Sequence, residues 1–223
     1  MRIVVLPGVL RPPSDAALLG GVMARDDLAG RTVLDLCTGT GILGLTAARL
    51  GARATAVDLS RRAVICARLN ARLNGLALEV LRGDLFAPVR SRRFDLIVSN
   101  PPYIPAPPGG APRGQARAWD AGPLGREFLD RICDVAGEHL NPGGRVLLVH
   151  SSLARPQETE RRLATRGLEP AVAASHDGRL GPVALERLDY LRSIGVADDS
   201  LGERMVVVEG RLPAGAPVRE PGA

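Results

Sequence analysis

Four residues able to do chemistry stand where an apolar run gives way to a turn: Asp35, Asp58, Asp84 and Asn100. Carboxylates there can hold a positive group or accept from hydroxyls and amines, and an asparagine adds an amide oxygen on a short stem. Between the first two lies "DLCTGTGILG", with Gly39, Gly41 and Gly44 in the Gly-x-Gly-x-x-Gly spacing. Glycines so placed let the backbone pass close to a ligand and adopt positive φ. Asp58 follows Gly41 by seventeen residues, the place from which a carboxylate binds ribose hydroxyls.

The glycine spacing alone serves a dinucleotide as well as S-adenosylmethionine. Asp35 separates the two, because a carboxylate just before the loop repels a pyrophosphate and attracts a cationic amino and sulfonium end. Asp84 offers an acceptor to an adenine amino group, and Leu59 and Leu85, next to the second and third aspartates, complete the candidate cofactor contacts. One strand-end aspartate is ordinarily a turn residue. Three at successive strand ends beside a glycine loop face the crevice where open α/β sheets bind ligands, which favours S-adenosylmethionine as cofactor.

The stretch "FDLIVSNPPYIP" then runs a buried-looking strand into Asn100, Pro101, Pro102 and Tyr103. Proline biases the residue before it to extended backbone and has no N–H of its own, so the segment is a rigid row of acceptors. An NH2 group on a planar carbonyl or ring could donate to the Asn100 side-chain oxygen and the Pro101 carbonyl, with Tyr103 against its flat face. Asn100 would lie beside the methyl group of the cofactor. Positioning of this kind can supply up to about 7–11 kcal/mol without a strong base.

These residues need strands and helices to hold them, and the pattern supplies both. "RTVLDLC", "ARATAVDLS", "LALEVLRGD" and "FDLIVSN" read as strands, alternating with helices "GILGLTAARLG" and "SRRAVICARLNARLNG". Ser60 is a predicted N-cap, and Gly51 and Gly75 close the two helices. Beyond a long loop at 104–121 the pattern predicts a helix at 123–140, a strand "GRVLLVHSS", a helix at 156–166, strands "LEPAVAAS" and "RMVVVEG", and a short helical piece at 183–193. Alternation of this kind makes an α/β fold, a mostly parallel Rossmann-like sheet with helices on both faces. Residues 1–210 are expected to form one domain and 211–223 a disordered tail.

The 223 residues are 45% hydrophobic, enough for one sizeable core, and carry a formal charge of +5. All 29 basic residues are arginine, spread along the chain, and aromatics make up 3%, a weak footprint for a nucleic-acid binder. Cys37, Cys66 and Cys133 form neither a disulfide framework nor a metal-ligand pair, and no metal is expected. His139, His150 and His176 are scattered and read as surface or element-end residues. No apolar run is long enough for a membrane span, so a cytoplasmic protein without a membrane partner is expected.

"VLRPPSDAALL", "LDLCTGTGILGL", "VDLS", "GDLF", "SNPPYIP" and "AWDAGPLGREFLDRI" together resemble the class I S-adenosylmethionine-dependent methyltransferases, and among them the short HemK-like protein glutamine-N5 methyltransferases. The resemblance implies seven strands, with Asp35, Gly39, Gly41, Asp58 and Asp84 on the cofactor and Asn100 to Tyr103 on the acceptor nitrogen. It places Asp15, Trp119 and Asp120 near the substrate, Asp15 having N-cap of a helix from Ala16 as its plain alternative. Cys37 stands where many such enzymes carry a glycine, a harmless change if φ there is negative. The implied substrate is a peptide-chain release factor, with a small activator subunit needed by some relatives. RNA or DNA adenine-N6 and small-molecule N-methylation use similar motifs, and Arg113 and Arg117 could meet phosphates.

Overall fold

Aliphatic and β-branched runs form strands here because both faces of the sheet are covered. This computed structural model, which describes residues 1–12, 14–109 and 114–216, has β1 (Thr32–Leu36), β2 (Arg53–Asp58), β3 (Leu78–Arg82), β4 (Phe94–Ser99), β5 (Leu140–Ser151), β6 (Glu169–Arg179) and β7 (Gly202–Arg211). They make one sheet in the order β3-β2-β1-β4-β5-β7-β6. Only β7 runs antiparallel to its neighbours β5 and β6. The strand order reverses between β1 and β4, so a crevice opens beyond their carboxyl ends.

The helices are α1 (Ser14–Met23), α2 (Ile42–Arg49), α3 (Arg61–Asn74), α4 (Glu127–Val135), α5 (Pro156–Thr165) and the short α6 (Pro182–Leu185) and α7 (Leu188–Ser193). Successive residues of β1 point to opposite faces. Leu34 and Leu36 join Leu129, Ile132 and Leu163 in one apolar layer, and Val33 joins Leu19, Met23 and Leu43 in the other. Each such side chain contributes about 1.5–3 kcal/mol by burial. The predicted cap of α3 is present, with Ser60 Oγ accepting from the Ala63 amide at 3.4 Å and Gly75 left-handed.

Several boundaries differ from expectation. The helix predicted at 123–140 starts only at Glu127, after the left-handed turns at Gly122 and Gly125, and ends in a 3-10 turn at Ala136–His139. The 104–121 loop is tied at both ends: Ile104 donates to the Trp119 carbonyl at 2.8 Å, and its own carbonyl accepts from Ala121. A 3-10 turn spans Gly114–Ala118. The helical piece at 183–193 is two helices, α6 and α7. Arg211 closes β7 and Leu212 donates to Gly144 at 2.8 Å, so the tail predicted as disordered from 211 begins inside the sheet. Residues 217–223 lie outside the described part. Among the described residues no helix is long and apolar enough to cross a membrane.

Candidate active site

The glycine loop is built around two carboxylates. Asp35 is fully buried, and its Oδ2 accepts from the Thr38 hydroxyl and from the Gly44 amide at 2.8 Å. Its Oδ1 is buried with no partner among the described residues. Burial outweighs those bonds and pushes the carboxyl up to about 7. Asp58, at the end of β2, accepts from the Gly39 amide at 2.9 Å and the Ser60 amide at 2.8 Å, and burial raises its pKa also. The loop is thereby strapped from both sides, and a Cβ at Gly39 would project into open space.

Cys37 departs from expectation. Its φ is +57°, in the left-handed region that the harmless reading excluded. Leu85, on the same rim, has φ +44°. Left-handed backbone on a residue with a side chain costs on the order of 1–3 kcal/mol and collects at functional sites. Burial, followed by Asp58 and Asp35, raises the Cys37 thiol, so it is a packing group rather than a nucleophile. Leu59 is exposed and Leu85 buried. Asp84 does not stand free, for Arg131 of α4 donates to its Oδ2 at 2.6 Å, each side chain remaining about half exposed.

β1 and β4 pair in parallel, Leu36 beside Ser99, so Cys37 and Asn100 leave the sheet side by side. The Ser99 hydroxyl donates to the Leu36 carbonyl at 2.8 Å and fixes that alignment. Asn100 is half-buried and Pro101 and Pro102 are buried. Tyr103 touches both apolar layers and its hydroxyl donates to Asp15 Oδ2 at 2.6 Å. Asp15 is no N-cap, because α1 begins at Ser14 and the carboxylate turns inward. Burial, then Asp15, raises the Tyr103 phenol well above its ordinary value. Behind the motif lies Gly125, at φ +69°, where a Cβ would meet the Tyr103 carbonyl oxygen at 2.3 Å.

The remaining predicted residues scatter. Trp119 is half-buried and belongs to no buried core cluster; its carbonyl serves the 104–121 tie. Asp120 pairs with Arg187 at 2.5 Å. Arg117 is exposed in the 3-10 turn, and Arg113 lies outside the described residues. His139 and His150 stand at element ends, as one of the two readings has it, but are buried rather than on the surface: His139 stacks on Phe86, and His150 meets the Thr159 hydroxyl at 3.1 Å, burial pushing it down to about 4.

Four residues near this machinery are given no role by the sequence, although Gly125, Arg126 and Arg131 lie within the family-like segment "AWDAGPLGREFLDRI". Arg126 is buried and reaches the Ala154 and Arg155 carbonyls, Thr159 and Asp130, pinning α4 to the β5–α5 turn. Arg131 and Glu203 are ordinary charges in helix and strand patterns, and Gly125 is one of 26 glycines.

A crevice at the strand reversal with a strapped glycine loop on one side and a proline-stiffened acceptor segment on the other defines a class I methyltransferase. Residues 14–107 match the Methyltransferase small domain family. The mouse methyltransferase HEMK2 is 32% identical over 195 residues, covering 83% of this chain and 90% of the relative. The release factor glutamine methyltransferase of Geobacter sulfurreducens is 35% identical over 156 residues, covering 66% of this chain but only 55% of the longer relative. In fold, the Mtq2 of E. cuniculi, solved with Trm112 and described as responsible for methylation of the eRF1 translation termination factor, superposes with a TM-score of 0.66 at 23% identity. That superposition covers 92% of this chain and 99% of the other. The chain belongs to the HemK-type family of methyltransferases.

Proposed function

We propose that the chain transfers the methyl group of S-adenosylmethionine to the side-chain amide nitrogen of a protein glutamine, with a peptide-chain release factor as substrate. One observation carries the reading: Asp35, whose buried Oδ1 has no partner among the described residues, and the Asn100 to Tyr103 segment stand at the carboxyl ends of the adjoining strands β1 and β4. The names of the mouse and Geobacter relatives support the enzyme type, and the latter also the substrate.

The residues fit the cofactor. Asp35 Oδ1 is a buried acceptor without a donor among the described residues, which a cationic amino group would complete, and the space facing Gly39 leaves room for a ligand against the loop. Asp58 would hold the ribose hydroxyls and Asp84 the adenine amino group, with Gly41, Cys37, Leu59 and Leu85 lining the rim. Bound S-adenosylmethionine supplies an electrophilic methyl group. On the acceptor side, Asn100 Oδ1 and the Pro101 carbonyl accept the two amide N–H bonds, which directs the nitrogen lone pair at right angles to them. Pro102 keeps the segment rigid, and Tyr103 covers the amide plane, excluding water. With the cofactor bound, the C–N bond would form as the methyl–sulfur bond breaks, S-adenosylhomocysteine being the leaving group, and one of the N–H protons held by Asn100 Oδ1 and the Pro101 carbonyl would pass to water afterwards.

Labelled methyl transfer to a class I release factor tests the reading, run beside a variant with the glutamine of its Gly-Gly-Gln motif changed to Ala. Label on the first alone, lost with Asn100→Ala, is the expected result. Label on both, or on RNA in place of protein, would overturn the substrate.

A further inference from the structure

We propose that Asp15 is a positioning residue for the transfer, acting through Tyr103: its carboxylate anchors the phenol so that the ring stands as a fixed wall for the acceptor amide. The inference rests on the reading of Asn100 to Tyr103 given above and extends it to an element far away in sequence, the first turn of α1.

Asp15 is only 6% exposed, an expensive place for a carboxylate unless its oxygens are used. Both are used, Oδ2 by Tyr103 at 2.6 Å and Oδ1 by the Ser14 hydroxyl at 3.3 Å. A bond this short between a neutral hydroxyl and a carboxylate is of the charge-assisted, stronger kind. Asp15 itself cannot drift, since α1 is nailed to the sheet by Leu19 and Met23, both fully buried under β4 and β5.

The hydroxyl lies at the far end of the ring axis from the backbone. Pro102 and the Gly125 contact hold the near end, so Asp15 fixes the second point that determines where the ring face lies. Burial first, then the Asp15 carboxylate, and last Glu203 at the start of β7, keep the phenol protonated and donating. Tyr103 therefore spends its only O–H on Asp15. Its share in the reaction is its face, and the orientation of that face belongs to Asp15.

The test uses the full-length enzyme, its release-factor substrate and four variants: Asp15→Ala, Asp15→Asn, Tyr103→Phe and the Asp15→Ala/Tyr103→Phe pair. Asp15→Ala and Tyr103→Phe should each lower kcat about tenfold, as loss of one charge-assisted hydrogen bond does, with cofactor KM unchanged. The pair should be no slower than either single variant, because both remove the same bond. Asp15→Asn keeps an acceptor oxygen and should recover most of the activity. Multiplying effects in the pair, or Asp15→Ala with the wild-type kcat, would overturn the proposal, as would failure of Asp15→Asn to rescue.

A second measurement does not depend on substrate. The chain has two tyrosines, so in a Tyr190→Phe background the Tyr103 hydroxyl proton should give one slowly exchanging proton NMR signal. Asp15→Ala should remove that signal. If the wild type methylates no release factor, the functional reading fails by itself, and this signal still decides the anchor: its absence in the wild type sinks the Asp15 role.

Discussion

Gly125→Ala is the sharpest perturbation of the acceptor side. A Cβ there would lie 2.3 Å from the Tyr103 carbonyl oxygen, 2.9 Å from Pro105 Cδ and 3.0 Å from the Pro105 nitrogen. Two of these are backbone atoms, so no side-chain rotation relieves the clash, and the Tyr103–Pro105 strand must retreat by roughly 1 Å, a displacement that costs on the order of a hundredfold in rate. The left-handed φ of +69° adds about 1–2 kcal/mol of strain to the folded state. Gly122→Ala separates the two effects. Its φ is +73°, yet its added Cβ meets nothing nearer than Glu127 Oε2 at 3.7 Å. Gly122→Ala should lose about 1–2 kcal/mol of stability in urea titrations and Gly125→Ala about 1–3 kcal/mol more from its clash, while only Gly125→Ala should lower kcat about a hundredfold with cofactor affinity intact. Equal kcat losses in the two, or a Gly125→Ala enzyme within threefold of wild type, would refute the reasoning.

Cys37→Gly should raise stability by about 0.5–1 kcal/mol, the left-handed strain relieved less the extra flexibility of glycine, read as a thermal midpoint higher by about 1–4 °C and preserved activity. Asp35 gives a pH dependence: its folded pKa of about 7 lies above the ordinary 3.8, so its contribution is fully present below pH 4 and lost as pH rises through 7. Urea midpoints of the cofactor-free protein should fall between pH 5 and pH 8, by on the order of 2–3 kcal/mol in stability from this group, and Asp58 acts in the same direction. Saturating S-adenosylmethionine should restore much of the loss, and Asp35→Asn should flatten the profile; a flat wild-type profile would refute the assignment. Arg126→Ala leaves Thr159 and the Ala154 and Arg155 carbonyls without their donor, and about 3–5 kcal/mol should disappear from chemical denaturation.

The half of the molecule before residue 104 was legible because its signals are local. A glycine spacing, strand-end aspartates, the Ser60 cap and the Gly75 stop each act within a few residues of where they stand. What the sequence hid was long-range. Nothing near Asp15 announces Tyr103, which lies 88 positions on, and Arg126 reaches partners 28 to 33 positions away. Asp15 read equally well as an N-cap because a carboxylate before an apolar helix does either job, and only the packing of α1 decides. The backbone sign at Cys37 was hidden for a related reason: strain is tolerated where neighbours over-determine the chain, and those neighbours are Asp35, Asp58 and Ser99 from three strands. The late elements were blurred at their ends because β6 is almost wholly exposed and shows little apolar alternation.

The two sides of the crevice handle charge in opposite ways. On the cofactor side, burial leaves Asp35 short of compensation, its Oδ1 without a partner among the described residues, so on the proposed reading a cationic amino group there replaces a proton and completes the interaction. Across from them, the Asp15 carboxylate is already spent on Tyr103, burial holds Glu203 toward its neutral form, and the phenol is held protonated. An amide nitrogen asks for little else than direction, since its lone pair is delocalised until the N–H bonds are held and the plane is set. On the proposed reading, a rigid row of carbonyl and amide oxygens with a fixed aromatic wall would provide that direction, and the proton would leave for water once the new bond had made the nitrogen acidic. Chemistry of this kind accounts for prolines at a site where catalysis by a base would have called for a histidine.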